Sequence, residues 1–330
     1  MSLLRGDIEM GATGTVTHVD GTRVYAFGHP FLNLGTTQFA MTRSHVYTVL
    51  PSLDSSMKIS SLGPVIGVMG QDRTTAVGGR LGAGPPELRI NLTLDGSRAP
   101  TRRFTYYAIH DPQLTPLFAF VALFNTLIGY ERQTGELSAV ARGSVTFGDQ
   151  GRVELDDVFA GDGVASAAAG ALTAAIGLAA TNPIQTTLAT SLDLELRIEE
   201  RQDASSIERI WLDTVTPRAG ATTTLYVQLR HFRGPLETVS MPLTMPAGST
   251  SPLKLLVSDG ATLAGLERQE LAPGRATSWP ALLAEMQSAR AGNRLYVRLI
   301  AGHQGTVVGG ATFPALPTSM QSALAADASA

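Results

Sequence analysis

Along residues 13–110 the hydrophobic positions recur mostly at every second residue, the period of a half-buried strand. Residues 13–19 and 23–27 alternate on either side of Asp20-Gly21, a dipeptide that favours a tight hairpin turn. Residues 43–50 (RSHVYTVL) are rich in β-branched and aromatic side chains, and 65–69 form a short apolar run bounded by Gly63-Pro64 and Gly70. The glycines and prolines from Gly78-Gly79 to Pro85-Pro86 predict a break. Residues 87–94 (ELRINLTL) alternate strictly up to Asp95-Gly96, and 102–109 are the predicted hairpin partner. Many short strands with frequent glycine turns predict a β-barrel or sandwich.

Past residue 110 the period changes. Asp111-Pro112 predicts a helix start, with a capping carboxylate and a proline in the first turn. Leu117, Phe120, Val121, Phe124, Leu127 and Ile128 then recur at helical spacing and predict one broad buried face. Residues 137–147 return to alternation, and 153–155 lead into Asp156-Asp157. Residues 163–181 are almost all small or apolar and stop at Asn182-Pro183. Their length is close to that of a membrane span. Alanine and glycine drive insertion weakly, however, so a tightly packed core helix is the expected reading. The apolar stretch at 113–130, interrupted by Asn125, is read the same way, and no membrane span is favoured.

The rest is again strand-like. Residues 190–198, 207–215, 222–229, 236–243 and 252–257 are nearly evenly spaced strands separated by Gly/Pro turns, the pattern of an immunoglobulin-like sandwich. Ser278-Trp279-Pro280 caps a predicted helix running to about residue 291, with Leu282, Leu283 and Met286 on one face. Residues 294–300 are a last strand, and the Ala/Ser-rich residues from 314 onward read as a frayed tail. No fixed-period repeat is present.

Composition narrows the function classes. At 330 residues, two domains are the first expectation. The hydrophobic fraction of 44% can build real cores, and the charged fraction of 16% excludes a disordered chain. Net charge is -3, the only lysines are Lys58 and Lys254, and no basic block occurs, which argues against a nucleic-acid surface. The absence of cysteine removes disulfide frameworks, thiol nucleophiles and cysteine zinc sites together. No other cofactor is implied. Met1-Ser2-Leu3 lacks the basic-then-apolar form of a signal peptide, and further sequence upstream is expected.

Of the polar side chains, His29 is the strongest chemical candidate. Gly28 and Pro30 constrain the backbone on both sides, and a histidine held rigidly at a strand end suits a general base; a hydrogen-bonded turn histidine is the alternative. Asp72, in Gly70-Gln71-Asp72-Arg73, could orient an imidazole as the third member of a triad or could hold a loop through a local ion pair. Ser55, Ser56, Ser60 and Ser61 surround Lys58, but no Gly-x-Ser-x-Gly elbow accompanies them. His18, His45, His110, His231 and His303 lack metal-ligand spacing, and the glycines at 78–84 lack a Walker or dinucleotide fingerprint.

The runs GTVTHVDGTRVYAFGHPFLNLG (14–35) and KISSLGPVIGVMGQDRTTAVGG (58–79) resemble the SpoIVB family of sporulation-type serine peptidases. The resemblance covers roughly residues 6–110. It implies a partial trypsin-like β-barrel, followed by helices and the immunoglobulin-like β-sandwich, in a mainly β chain with a few helices. It also implies peptide-bond hydrolysis, a protein or peptide as substrate or partner, and an extracytoplasmic or envelope location. His29 matches the family's catalytic histidine, and Asp72 matches a motif position whose role is the orienting acid or structural. The family's nucleophile lies in a Gly-Met-Ser-Gly-Ser-Pro-like motif, and no Gly-x-Ser-Gly occurs in this chain. The serine is therefore expected from sequence outside these residues, with the chain inactive alone; the alternative is a non-catalytic relative that serves as a binding or scaffold module. The expected organisation is a barrel-like region with two apolar helices at 1–185, a β-sandwich accessory domain at 186–313, and the tail at 314–330.

Overall fold

The structure, a computed structural model, describes residues 1–53, 56–96, 100–130, 135–247, 253–270, 276–301, 306–308, 311–313 and 320. The chain is mainly β with helices and divides into two compact units. The first comprises Met1–Gly135, Ala139–Asp156 and Gly163–Glu199; the second comprises Glu136–Ser138, Asp157–Asp162 and Glu200–Ala330.

The first unit is built on one large mixed sheet. Its strands are β1 (Ser2–Gly6), β2 (Met10–Gly11), β3 (Val16–Asp20), β4 (Arg23–Ala26), β5 (Gly35–Leu50), β6 (Met57–Arg73), β7 (Ala76–Leu81), β8 (Glu87–Asp95), β9 (Arg102–Ile109), β10 (Ser138–Thr146), β11 (Arg152–Ala160) and β12 (Ser191–Glu199). Their order is β11-β10-β12-β8-β9-β1-β5-β6-β7-β4-β3, with β2 on β1. This path is open: among the described residues no pairing joins β11 to β3.

The alternating pattern of β12 is that of any half-exposed strand and by itself groups it with the strands that follow. In the structure it runs parallel to β8, with Leu192, Leu194 and Leu196 level with Ile90, Leu92 and Leu94. All six are buried, so the first unit extends to Glu199 rather than stopping near 185.

Helices α1 (Leu114–Tyr130) and α2 (Val164–Thr181) pack on each other, and α1 also lies against β9, β8 and β1. Asp111 caps α1, its Oδ1 accepting from Gln113 N at 2.9 Å and Leu114 N at 3.0 Å. Asn182 closes α2, its Nδ2 donating to Ala179 O at 2.7 Å. The buried face of α1 is Thr115, Phe118, Ala119, Ala122, Leu123, Thr126 and Leu127. Of the face expected from helical spacing only Leu127 is buried; Leu117 is 51% exposed. An apolar-all-round helix has no preferred side, so packing chose the side with alanines that let the neighbour approach closely. Helix α2 is long and apolar enough to cross a membrane by length and composition, and here it buries Ala168, Ala169, Leu172, Ile176, Ala179 and Ala180.

Gly78 and Gly79, read as part of a break, lie inside β7. A Cβ on Gly79 would come within 2.5 Å of the Met69 sulfur and the Val68 carbonyl, so glycine here permits sheet packing instead of ending it.

In the second unit β13 (Ser205–Leu212), β14 (Thr222–His231) and β15 (Leu236–Thr244) form a three-stranded antiparallel sheet. Trp211 and Tyr226 stack across it with ring centroids 5.3 Å apart. Strands β16 (Leu253–Ser258) and β17 (Tyr296–Ala301) pair separately, as do β18 (Thr306–Val308) and β19 (Ala311–Phe313). Helix α3 (Gly260–Glu270), which the sequence reading omitted, starts where Asp259 Oδ1 accepts from Thr262 N at 2.6 Å. Helix α4 (Trp279–Gln287) begins at the expected Ser278 cap and buries Trp279, Leu282 and Met286. The tail at 314–330 lies outside the described residues apart from Met320.

Tyr106 on β9 ties sheet to helix. Its hydroxyl meets Thr126 Oγ1 at 2.6 Å, and Thr126 in turn donates to Ala122 O. Burial pushes the phenol up to about 12, against the opposing effect of the Thr126 hydrogen bond. The folded chain thus keeps a proton that the unfolded chain loses near its ordinary value of about 10. The stability from this group is full below pH 10 and is lost as pH rises towards 12. Tyr106→Phe should cost about 1 kcal/mol at pH 7. It should also flatten the loss of stability above pH 10, read by urea unfolding at a series of pH values.

Candidate functional site

Strand β4 buries Val24 and Ala26 and exposes Arg23 and Tyr25, as an alternating strand should. Beyond Ala26 the backbone turns sharply. Phe27 has φ +75°, Gly28 +74°, Asn33 +58° and Gly35 +80°. A bulky side chain at positive φ is a genuine outlier, with a cost of order 1–3 kcal/mol, and such residues cluster at functional sites.

Three sets of contacts hold Phe27 there. Its amide donates to Thr15 O at 3.0 Å. Its ring packs against Gly14, where a Cβ would sit 1.4 Å from two ring carbons. The same ring stacks on His29 at 5.6 Å and meets Phe31 edge-on at 6.1 Å, and Phe31 meets the fully buried Phe39 at 6.0 Å. An aromatic chain thus runs from the exposed imidazole to the core. Gly14, in the GTVT run, is required by the ring that supports His29.

Asp72 holds the other side of the corner. Its carboxylate is fully buried at the end of β6. Oδ1 accepts from Phe31 N at 2.7 Å; Oδ2 accepts from Leu32 N at 2.7 Å and Leu34 N at 3.4 Å. Three amides converging on one carboxylate satisfy its charge in the interior and fix the loop that follows His29.

His29 itself is exposed. Its Nδ1 lies 2.7 Å from Pro30 O. A carbonyl oxygen can only accept, so Nδ1 carries the proton and the neutral ring has its lone pair on Nε2. Among the described residues nothing hydrogen-bonds Nε2. The arrangement supplies a solvent-accessible base of fixed tautomer on a strained, well-supported corner.

The two candidate residues therefore meet at one corner without bonding each other. Asp72 acts through the backbone of residues 31–34, and the role of orienting acid on the imidazole falls to the Pro30 carbonyl. The Asp72–Arg73 ion pair does not form either; Arg73 donates to Gln71 Oε1 at 2.8 Å. Ser60 and Ser61 do not pair with Lys58: Ser60 meets Thr13 Oγ1 at 2.7 Å and Ser61 meets Tyr47 OH at 3.1 Å. Ser56 bonds the backbone of Ser52, and Ser55 lies outside the described residues. Burial holds the His110 imidazole below its ordinary value, partly offset by a hydrogen bond with the Ala189 backbone. His18 stacks on Tyr25, and His45 meets Tyr47 edge-on. No group of three or more potential metal ligands occurs among the described residues.

Sequence reading missed a second histidine row, in the other unit. Ser205 Oγ lies 2.9 Å from His231 Nδ1, and His231 Nε2 lies 2.8 Å from Glu237 Oε2. The bond order is that of a triad, but the setting differs. Ser205 and Glu237 are exposed and His231 is half-buried, and Ser205 opens a strand instead of crowning a strand-to-helix turn. Ser205 and His231 are direct cross-strand neighbours, and the row reads as surface pairing that links β13, β14 and β15.

The chain matches no protein-family model, no curated protein and no solved structure.

Asp72→Asn would turn an amide donor towards the loop's own N–H groups. It should destabilise the first unit by about 1–3 kcal/mol in urea unfolding. Gly14→Ala should displace the Phe27 ring and shift the His29 Cε1 proton resonance through the altered ring current.

Proposed function

We propose that this chain is the histidine-bearing portion of a SpoIVB-like serine peptidase, with His29 as general base and the serine supplied by sequence outside residues 1–330. The observation that carries this reading is the fixed His29 tautomer, with Nδ1 held by the Pro30 carbonyl and Nε2 open to solvent. In the reaction a serine hydroxyl gives its proton to Nε2 as its oxygen attacks the peptide carbonyl. The imidazolium then returns that proton to the departing amine, and water repeats the sequence on the acyl-enzyme. The carbonyl at Nδ1 keeps the ring oriented, and the strained Phe27–Gly28 backbone keeps it projected. On this reading the β1–β7 region corresponds to a partial trypsin-like barrel, the strands of the second unit to an immunoglobulin-like accessory sandwich, and the protein works outside the cytoplasm.

A second reading is a non-catalytic binding or scaffold module of the cell envelope. The observation that favours it is the arm formed by the far halves of β5 and β6. There Tyr47, Leu50 and Met57 are exposed, and Leu53 at the tip is fully so. A two-stranded ribbon with open apolar faces is marginal in water by itself and suits a docking element.

A fluorophosphonate probe separates the two. The full-length gene product, if it carries a Gly-x-Ser-Gly segment, should be labelled, and His29→Ala should abolish labelling while circular dichroism stays unchanged. Ser205→Ala should label like the parent. Absence of such a segment, or labelling indifferent to His29→Ala, would sink the peptidase reading. Labelling lost in Ser205→Ala alone would move the chemistry to the second unit.

A further inference from the structure

Beneath the β3–β4 hairpin lies a half-enclosed apolar cavity of about 240 Å³. Met41, Met69 and Val24 form its buried floor, and Val16 and Val19 of β3 its exposed rim. Phe27 also lines it, so the cavity and His29 both adjoin one ring. No charged side chain lines it. Thr42 contributes to the lining, and its Oγ1 is buried with no hydrogen-bond partner among the described residues.

We propose that this cavity receives one apolar side chain, of leucine, methionine or phenylalanine size, from an extended peptide lying along β3. That the peptide is a substrate rests on the peptidase reading above; its binding does not. Three observations select this occupant. A cavity of about 150 Å³ already holds a benzene ring, so this one accommodates a branched or aromatic side chain and is too small for a helix face. β3 is the last strand of the sheet, and among the described residues its outer edge is unpaired, as strand addition by a peptide requires. Val16 and Val19 are 55% and 51% exposed on that strand, so a chain added there sits at the mouth of the cavity. The peptide would pass beside Phe27, with its neighbouring residues reaching His29. The cavity then selects which bond is presented to the base, a specificity role distinct from catalysis.

Methionine methyl resonances report on the cavity directly, since Met41 and Met69 line it while Met57 lies on the exposed arm. The probe is acetyl-Ala-Ala-Leu-Ala-Ala-amide, titrated into protein carrying carbon-13 methionine methyls. The Met41 and Met69 signals should shift saturably and Met57 should not, and the peptide with aspartate in place of leucine should leave all three unmoved. Ala12→Leu, which fills the cavity from its rim, and Val16→Asp, which charges an exposed rim position, should each weaken binding roughly tenfold or more. Two such variants guard against one failing to fold. His29→Ala should leave the peptide shifts intact, so loss of fluorophosphonate labelling with binding retained counts only against the hydrolase reading. The proposal is overturned if the leucine peptide moves neither floor methionine, or if the aspartate peptide moves them equally. It also fails if the shifts follow protein concentration without peptide, which would mean that a second copy fills the cavity.

Discussion

The carboxylate of Asp72, fully buried at the end of β6, accepts hydrogen bonds from three amides of residues 31–34, and the shape of the corner around His29 depends on it. A charge in the interior is tolerated when donors converge on it. From this anchor outward, Phe31 is fixed against Phe39, Phe27 against Phe31, and the imidazole against Phe27. Positive φ at Phe27 is affordable only because each of these contacts would be lost if the backbone relaxed. The groups that determine where the histidine sits are a carboxylate, a glycine and two phenylalanines.

The corner rests on a sheet stabilised from one side. Helices α1 and α2 contain no charged residue, and their alanines let them lie close to each other and, through α1, to β8 and β9. The opposite end of the sheet, β3 and the β5–β6 arm, is by contrast open, with exposed valines, leucines and a tyrosine. That end holds most of the unit's exposed large hydrophobics, with Leu117, Tyr130 and Leu178 exposed on the helices. It is also the end that bears His29.

His231 and His29 illustrate how little a hydrogen-bond pattern alone decides. His231 has a hydroxyl on one nitrogen and a carboxylate on the other, yet sits in a cross-strand row of an antiparallel sheet. His29 has only a backbone carbonyl, yet stands on a strained, aromatic-backed turn beside an apolar cavity. Backbone strain and aromatic support, which limit motion, differ between the two sites more than the bonds do.

Local pattern was enough to place most strands, the Asp111 and Ser278 caps, the Asn182 stop, and His29 on a rigid turn, because each depends on residues within one or two turns of chain. It was not enough to say which side of an apolar helix is buried, as α1 shows, since periodicity carries no information when every face is hydrophobic. It misread Gly78-Gly79, because a glycine that ends a strand and one that lets a methionine pack over it look identical in sequence. It placed β12 with its neighbours in the chain, whereas its parallel pairing to β8 joins residues about a hundred positions apart. It offered Asp72 as a partner for the imidazole or as a structural group, and only the fold could choose. The distance between Asp72 and the loop after His29 is set by the β5–β6 pairing, and that long-range register turned the carboxylate towards three amides and left the ring to a carbonyl.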